Sequence, residues 1–229
     1  MDINGAHVLV AGATGVIGGA FTAELAARAA RPALAGRGPG RLARAAQEYP
    51  GAPIALFDAY VPETCARAVY SAAAVLGGLE VVVVAFGSVA FGRADTVGDE
   101  VAERLMAVNV LTSAAFLEPG VAIADVTGVV TDRPQPGMAD YNVSKAALSA
   151  WLAAVCGDAR PAGIRVLEVR PGHLDTGFAS GAVAGTAPPL PPGGDLRQVV
   201  RAGFDALATD AETVRTAPDG TPVIEPRAR

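Results

Sequence analysis

Short apolar runs recur along the chain, separated by longer stretches of helical composition. The runs are HVLVA (7–11), PALA (32–35), PIALF (53–57), EVVVVAF (80–86), VAIADV (121–126) and IRVLEV (164–169). Continuous runs of β-branched and small apolar residues predict strands covered on both faces, as in a parallel sheet. The intervening segments 16–30, 62–76, 99–116 and 139–157 predict helices, with Pro62 suited to a first turn where its missing N–H is not needed. DLRQVVRAGFDALA (195–208) predicts a closing amphipathic helix, and TPVIE (221–225) a last short strand. Such alternation predicts an α/β fold, a doubly wound parallel β-sheet in three layers with right-handed crossovers.

No internal repeat or composition break divides the 229 residues, so one domain is expected over 1–229. The exception to the regular march is 172–194, which ends in GTAPPLPPGGD. Its prolines and glycines exclude a regular element, so residues 173–194 are expected to be a mobile lid over a substrate. That lid is small, proline-rich and sparsely charged, which points to an uncharged or apolar substrate.

Composition narrows the partners. With 51% hydrophobic and 18% charged residues the chain can build a sizeable core. A formal charge of -5 and no basic run speak against nucleic acid and anionic membranes. The apolar run Val81 to Phe86 is too short to span a bilayer. Cys65 and Cys156 lie far apart, with no metal-type spacing, and read as reduced core thiols; no metal is expected. The N-terminus lacks a charged segment followed by a long apolar stretch, and a cytoplasmic protein is expected.

Candidate chemistry starts at VLVAGATGVIGGA, between the first strand and the first helix. Gly12, Gly15 and Gly18 permit a tight turn and close approach of the backbone to a diphosphate. Thr14, Val16 and Ile17 complete the turn, and the free N–H groups at the helix start favour anions. Its place between a strand and a helix points to a dinucleotide cradle of the Rossmann type; the alternative is a merely structural turn. At the end of the second strand, where an acidic side chain would bind the ribose hydroxyls of NAD, stands Arg37 in AGRGPGR. A guanidinium suits a 2′-phosphate in charge and geometry, which favours NADP(H) over NAD(H). After the third strand, Asp58 is placed to accept from an adenine amino group or to cap the helix beginning at Pro62, two roles that are compatible; Ala59 follows it.

DYNVSKAALSAW (140–151) places Tyr141 and Lys145 one helical turn apart on one face. A phenol has an ordinary pKa near 10, and a nearby ammonium and an oxidised nicotinamide ring both favour phenolate, which would bring it toward working pH. The alternative is a surface pair. Trp151, farther along the same helix, reads as packing or a subunit contact.

Taken in order, these motifs make the chain resemble the short-chain dehydrogenase/reductase superfamily over nearly its whole length. The resemblance rests on the glycine turn, Asp58, AFG (Ala85, Phe86, Gly87), Asn109 in VN, Tyr141 with Lys145, and RPGHLDTGF with Pro171, Gly172 and Thr176. It implies an oxidoreductase acting on a small-molecule carbonyl or alcohol, with these residues around the cofactor. It also implies that Tyr141 is the general acid/base, that Lys145 holds the nicotinamide ribose, and that Asn109 holds a water in a proton relay. A homodimer or homotetramer is implied too. Three features depart from the family pattern. The turn is GxxGxxG, VAFG replaces NNAG, and the catalytic serine falls on DVTG. Thr127, fourteen positions before Tyr141, supplies a hydroxyl for that role, donating to the substrate oxygen; a one-residue shift would place Val126 there instead. The departures leave open a non-catalytic NADP(H)-binding sensor or partner-binding module. An epimerase or dehydratase shares the glycine spacing, but the chain lacks the length for a sugar-nucleotide domain.

Overall fold

The computed structural model describes residues 1–226. Eight strands form one sheet in the order β3-β2-β1-β4-β5-β6-β7-β8. They are β1 (His7–Ala11), β2 (Arg31–Gly36), β3 (Ile54–Leu56), β4 (Val81–Val84), β5 (Ala122–Val126), β6 (Val166–Arg170), β7 (Thr213–Thr216) and β8 (Pro222–Glu225). All neighbours run parallel except β7 and β8. The helices are α1 (Val16–Ala27), α2 (Pro39–Gln47), α3 (Pro62–Leu76), α4 (Asp99–Met106), α5 (Thr112–Ala114), α6 (Ala139–Ala159) and α7 (Leu196–Leu207).

Alternate side chains of each strand enter two different cores. Val8 and Val10 pack with Phe21 and Leu25 of α1, Leu42 of α2 and Phe204 of α7. Leu9 and Ala11 pack on the other face with Cys65 of α3, Phe116 and Leu148 of α6. Three layers result because strands buried on both faces need a helical cover on each.

The expected elements are found, with three differences. Helix α2 and strand β7 were not among the expected elements. TVRT (213–216) is too short and polar to stand out as a strand, yet it closes the parallel part of the sheet by pairing Glu168↔Thr213 and Val169↔Val214. The expected helix 99–116 is interrupted by a π-helical turn, Ala107–Leu111, which holds Asn109. The 172–194 region is irregular apart from one 3₁₀ turn, Ala179–Gly181, as its prolines require. No helix among the described residues is long and apolar enough to cross a membrane.

Order reverses between β1 and β4, whose register is Val8↔Val81 to Ala11↔Val84. Crossovers leave the sheet in opposite directions at that point. A crevice therefore opens beyond the carboxyl ends of the two strands.

Candidate active site

A cleft of about 1120 Å³ occupies that crevice. One end is made of backbone. Gly12 has φ +90, and a Cβ there would lie 2.8 Å from the Ala85 carbonyl oxygen, so only glycine lets the turn pass β4. The Gly12 and Ala13 amides both donate to the Ala35 carbonyl, at 2.9 and 3.1 Å, tying the turn to β2. A Cβ on Gly18 would overlap the Gly12 carbonyl oxygen, so this glycine lets α1 sit against the turn. Gly18 itself is buried beneath the cleft and does not line it.

Gly15 caps α1 without a side-chain bond, and the first turn carries no acid. Its first amides have no intrahelical acceptor, and the helix presents its positive end. Gly12, Thr14, Gly15, Val16 and Ile17 all line the cleft there. A cradle kept clear by glycines, with open amides at a helix start, fits the diphosphate of a dinucleotide. Arg37 lines the same end, together with Arg41 of α2. Sequence reading passed over Arg41 because α2 itself was not expected.

The adjoining wall contains Ala59, Ala85, Phe86 and Gly87, as expected, with Phe57 and Tyr60 beside them. Phe57, Phe86 and Phe116 form a cluster with ring centroids 5.1 to 5.8 Å apart, which fixes the Phe86 position. Asp58 stands outside the lining. Its carboxylate accepts from the Tyr60 amide at 2.9 Å, and its carbonyl accepts from the Thr64 hydroxyl. It does not cap α3, whose N-cap is Val61 without a side-chain bond; its carboxylate closes the turn before that helix.

At the far end Tyr141 and Lys145 share the inner face of α6, both buried and both lining the cleft. Val126, Thr127, Pro171, Gly172 and Thr176 complete that end. The Lys145 Nζ donates to the Val126 carbonyl at 2.8 Å. The Tyr141 hydroxyl has no hydrogen-bond partner among the described residues. Phe178 leans over it from the 172–194 segment, with ring centroids 6.4 Å apart. That segment is tied down by Val183 N–H to the Val89 carbonyl (2.8 Å) and Phe91 N–H to the Ala184 carbonyl (2.9 Å).

Three features of this end were not legible in the sequence. Burial pushes the Tyr141 phenol above its ordinary value, opposing the lowering expected from the adjacent ammonium and an oxidised nicotinamide ring. The reason is that the phenol is almost wholly desolvated, while Lys145 is bonded to Val126. Thr127 is not free to donate to a substrate oxygen, because its hydroxyl donates to Glu168 Oε1 at 2.6 Å. The shift that would replace it with Val126 offers no hydroxyl at all. Asn109 lies outside the lining: its Nδ2 donates to the Ser88 carbonyl and the Ser144 hydroxyl, and its Oδ1 accepts from the Ser88 amide. Its side chain staples the loop after β4 to α6 and commits both N–H donors, while Oδ1 and the main-chain carbonyl keep acceptor capacity.

Sequence reading also missed a polar floor beneath the pair. Asp125 of β5 is fully buried beside Glu168 of β6, its partner in register. Both sit within apolar strand runs, where the hydrophobic pattern gave them no weight.

The family described as short chain dehydrogenase matches residues 6–186. No curated protein matched. A short chain dehydrogenase from Burkholderia cenocepacia J2315, solved with NADP, is 24% identical with a TM-score of 0.81, covering 96% of this chain and 91% of its own. An alcohol dehydrogenase from the archaeon Thermococcus sibiricus, complexed with 5-hydroxy-NADP, is 23% identical with a TM-score of 0.78, covering 89% and 91%. A short chain dehydrogenase/reductase from Burkholderia phymatum, solved with NAD, is 21% identical with a TM-score of 0.79, covering 91% and 87%. At these identities the likeness is one of fold.

Proposed function

Since the chain belongs to the short chain dehydrogenase family, a family of nicotinamide-dependent oxidoreductases acting on alcohol and carbonyl groups, we propose that it reduces a small or medium carbonyl compound with NADPH, or oxidises the corresponding alcohol. The observation that carries this reading is the single cleft that runs from the open start of α1 to Tyr141 and Lys145. Such a cleft has a place for phosphate at one end and a proton donor at the other.

The α1 amides and the glycine turn would hold the diphosphate, and Arg37 with Arg41 a 2′-phosphate. Gly87, Pro171, Gly172 and Thr176 would border the nicotinamide. Relatives of this fold carry NADP in one case and NAD in another, so the preference for NADP(H) rests on the two arginines. The bound cofactor supplies the hydride. Lys145 has three N–H donors and uses one on Val126, which leaves two for ribose hydroxyls.

Tyr141 would supply the proton to the substrate oxygen. Burial alone makes the phenol a weak acid, and the Lys145 ammonium with the positively charged ring of the oxidised cofactor would favour phenolate and so make it the better proton donor that the reaction needs. With the Thr127 hydroxyl turned to Glu168, Tyr141 is the donor left to stabilise charge on that oxygen. Phe178 and the segment 173–194 would act as the lid that excludes water, and the apolar lining by Phe91, Val130, Met138 and Leu190 suits an uncharged substrate. Leu111 and Val143, 61% and 59% exposed, offer an apolar contact for a second copy.

Binding without chemistry is the second reading, favoured by the commitment of the Thr127 hydroxyl. Thermal unfolding with NADPH or NADH, run beside a panel of neutral and carboxylated carbonyl compounds, separates the two. The proposal expects greater stabilisation by NADPH and measurable NADPH consumption. Stabilisation with no turnover on any member of the panel would leave the binding module.

A further inference from the structure

Asp125 is fully buried in the middle of the sheet, and neither carboxylate oxygen has a hydrogen-bond partner among the described residues. Its neighbours on β5 are Ala122, Ile123 and Ala124, residues that pack without electrostatic cost. For stability alone this carboxylate is a liability, because burying an ion without hydrogen bonds is unfavourable. Glu168 beside it is different. Its oxygens accept from Thr127, Ser149 at 3.1 Å and Arg170 at 2.8 Å, and Arg170 is bonded in turn to Asp132. The Glu168 charge is therefore already answered. The charge of Asp125 is not.

One cation remains on that face. Lys145 is buried as well and reaches β5 itself, where its Nζ bonds the carbonyl of Val126, the residue next to Asp125. Burial alone would drive an ammonium there toward its neutral form; the Asp125 and Glu168 carboxylates oppose it. We propose that Asp125 is a positioning residue for the reaction, the buried counter-charge that keeps Lys145 protonated beneath the nicotinamide end of the cleft. The inference rests on the oxidoreductase reading for its catalytic half, and on the side-chain geometry alone for its electrostatic half.

The other groups facing Asp125 do not replace that cation. Arg170 is held by Glu168 and Asp132, and Tyr141 carries no positive charge. From α5, the Ser113 hydroxyl favours the ionised carboxylate but makes only a 3.4 Å bond to the Asn109 carbonyl. β4 contributes valines only. With Asp125 ionised, Lys145 stays charged and can hold ribose hydroxyls. Without it, the ammonium loses its proton at a lower pH.

Two measurements on the full chain test the two halves. The first is a thermal unfolding cycle at pH 7.5 without cofactor, using Asp125→Asn, Lys145→Met and the double variant. Lys145→Met should lower the melting temperature in the wild-type background, and lower it less, or raise it, in the Asp125→Asn background. Additive shifts would overturn the pairing. If Lys145→Met does not fold, the double variant decides: its folding supports the pairing, and its failure overturns it.

The second is the pH profile of kcat/KM for NADPH-dependent reduction. Asp125→Asn should lose about tenfold between pH 7 and pH 9 relative to wild type, with Asp125→Glu restoring the wild-type profile. Superimposable profiles would overturn the positioning role even if the melting cycle shows coupling. Coupling in the cycle with no turnover by wild type at any pH would instead remove the oxidoreductase reading and leave the charge pair standing.

Discussion

The two ends of the cleft are built from different materials. The phosphate end is backbone: the Gly12 turn, the open amides of α1 and the glycine that lets α1 approach, all within seven residues of one another. The end under Tyr141 and Lys145 is a side-chain network, in which Asn109, Asp125, Lys145 and Glu168 come from four different elements. A backbone site tolerates almost any neighbour but no Cβ. A side-chain site tolerates backbone variation but depends on each charge and donor having its counterpart.

That contrast can be broken at either end. The largest expected effect is from Gly18→Ala, whose methyl group has no room beside the Gly12 carbonyl. It should lower unfolding free energy by about 3 kcal/mol or more in urea titration. Equal stability would mean that the backbone end is not the rigid one.

Next comes pH. Burial raises the Asp125 carboxyl to about 6 from its ordinary 3.8. Between those values the folded protein holds a proton that the unfolded chain has released, so stability is fully present below pH 4 and falls as pH rises through 6. The loss attributable to this group is about 3 kcal/mol at most. Urea titrations from pH 4 to pH 7 should show wild type losing stability relative to Asp125→Asn. Parallel curves would contradict a carboxyl raised by burial.

A smaller effect is expected where a side chain meets the backbone end. Arg37→Ala should weaken NADPH binding by about tenfold, and NADH binding hardly at all. Fluorescence titration with the two cofactors reads the difference, and equal losses for both would leave Arg37 as a solvated loop charge. In Arg37→Ala, Arg41 should retain part of the preference, so the double substitution sharpens the result.

The same contrast explains what could be read from the sequence. Strands with both faces buried are continuous apolar runs, so β1, β4 and β5 and the layered architecture followed from the hydrophobic pattern. Gly12 and Gly18 could be recognised because a turn and a close approach need glycine at fixed spacing. TVRT of β7 could not, since its pairing with β6 is decided by position rather than composition. Nor could the direction of the Thr127 hydroxyl, which depends on Glu168, 41 residues away. Tyr141 and Lys145 were correctly placed on one face by helical periodicity. Their burial, which opposes ionisation of both groups, could not be read there, because it acts through the third dimension.

The most direct test of the account is NADPH oxidation by wild type and Tyr141→Phe in the presence of a carbonyl substrate, with NADPH binding measured on the same samples. Removing only the hydroxyl should leave cofactor affinity unchanged and lower kcat/KM by about a hundredfold or more. Equal turnover by the two proteins would contradict the assignment of Tyr141 as the proton donor, and with it the chemistry proposed for this cleft.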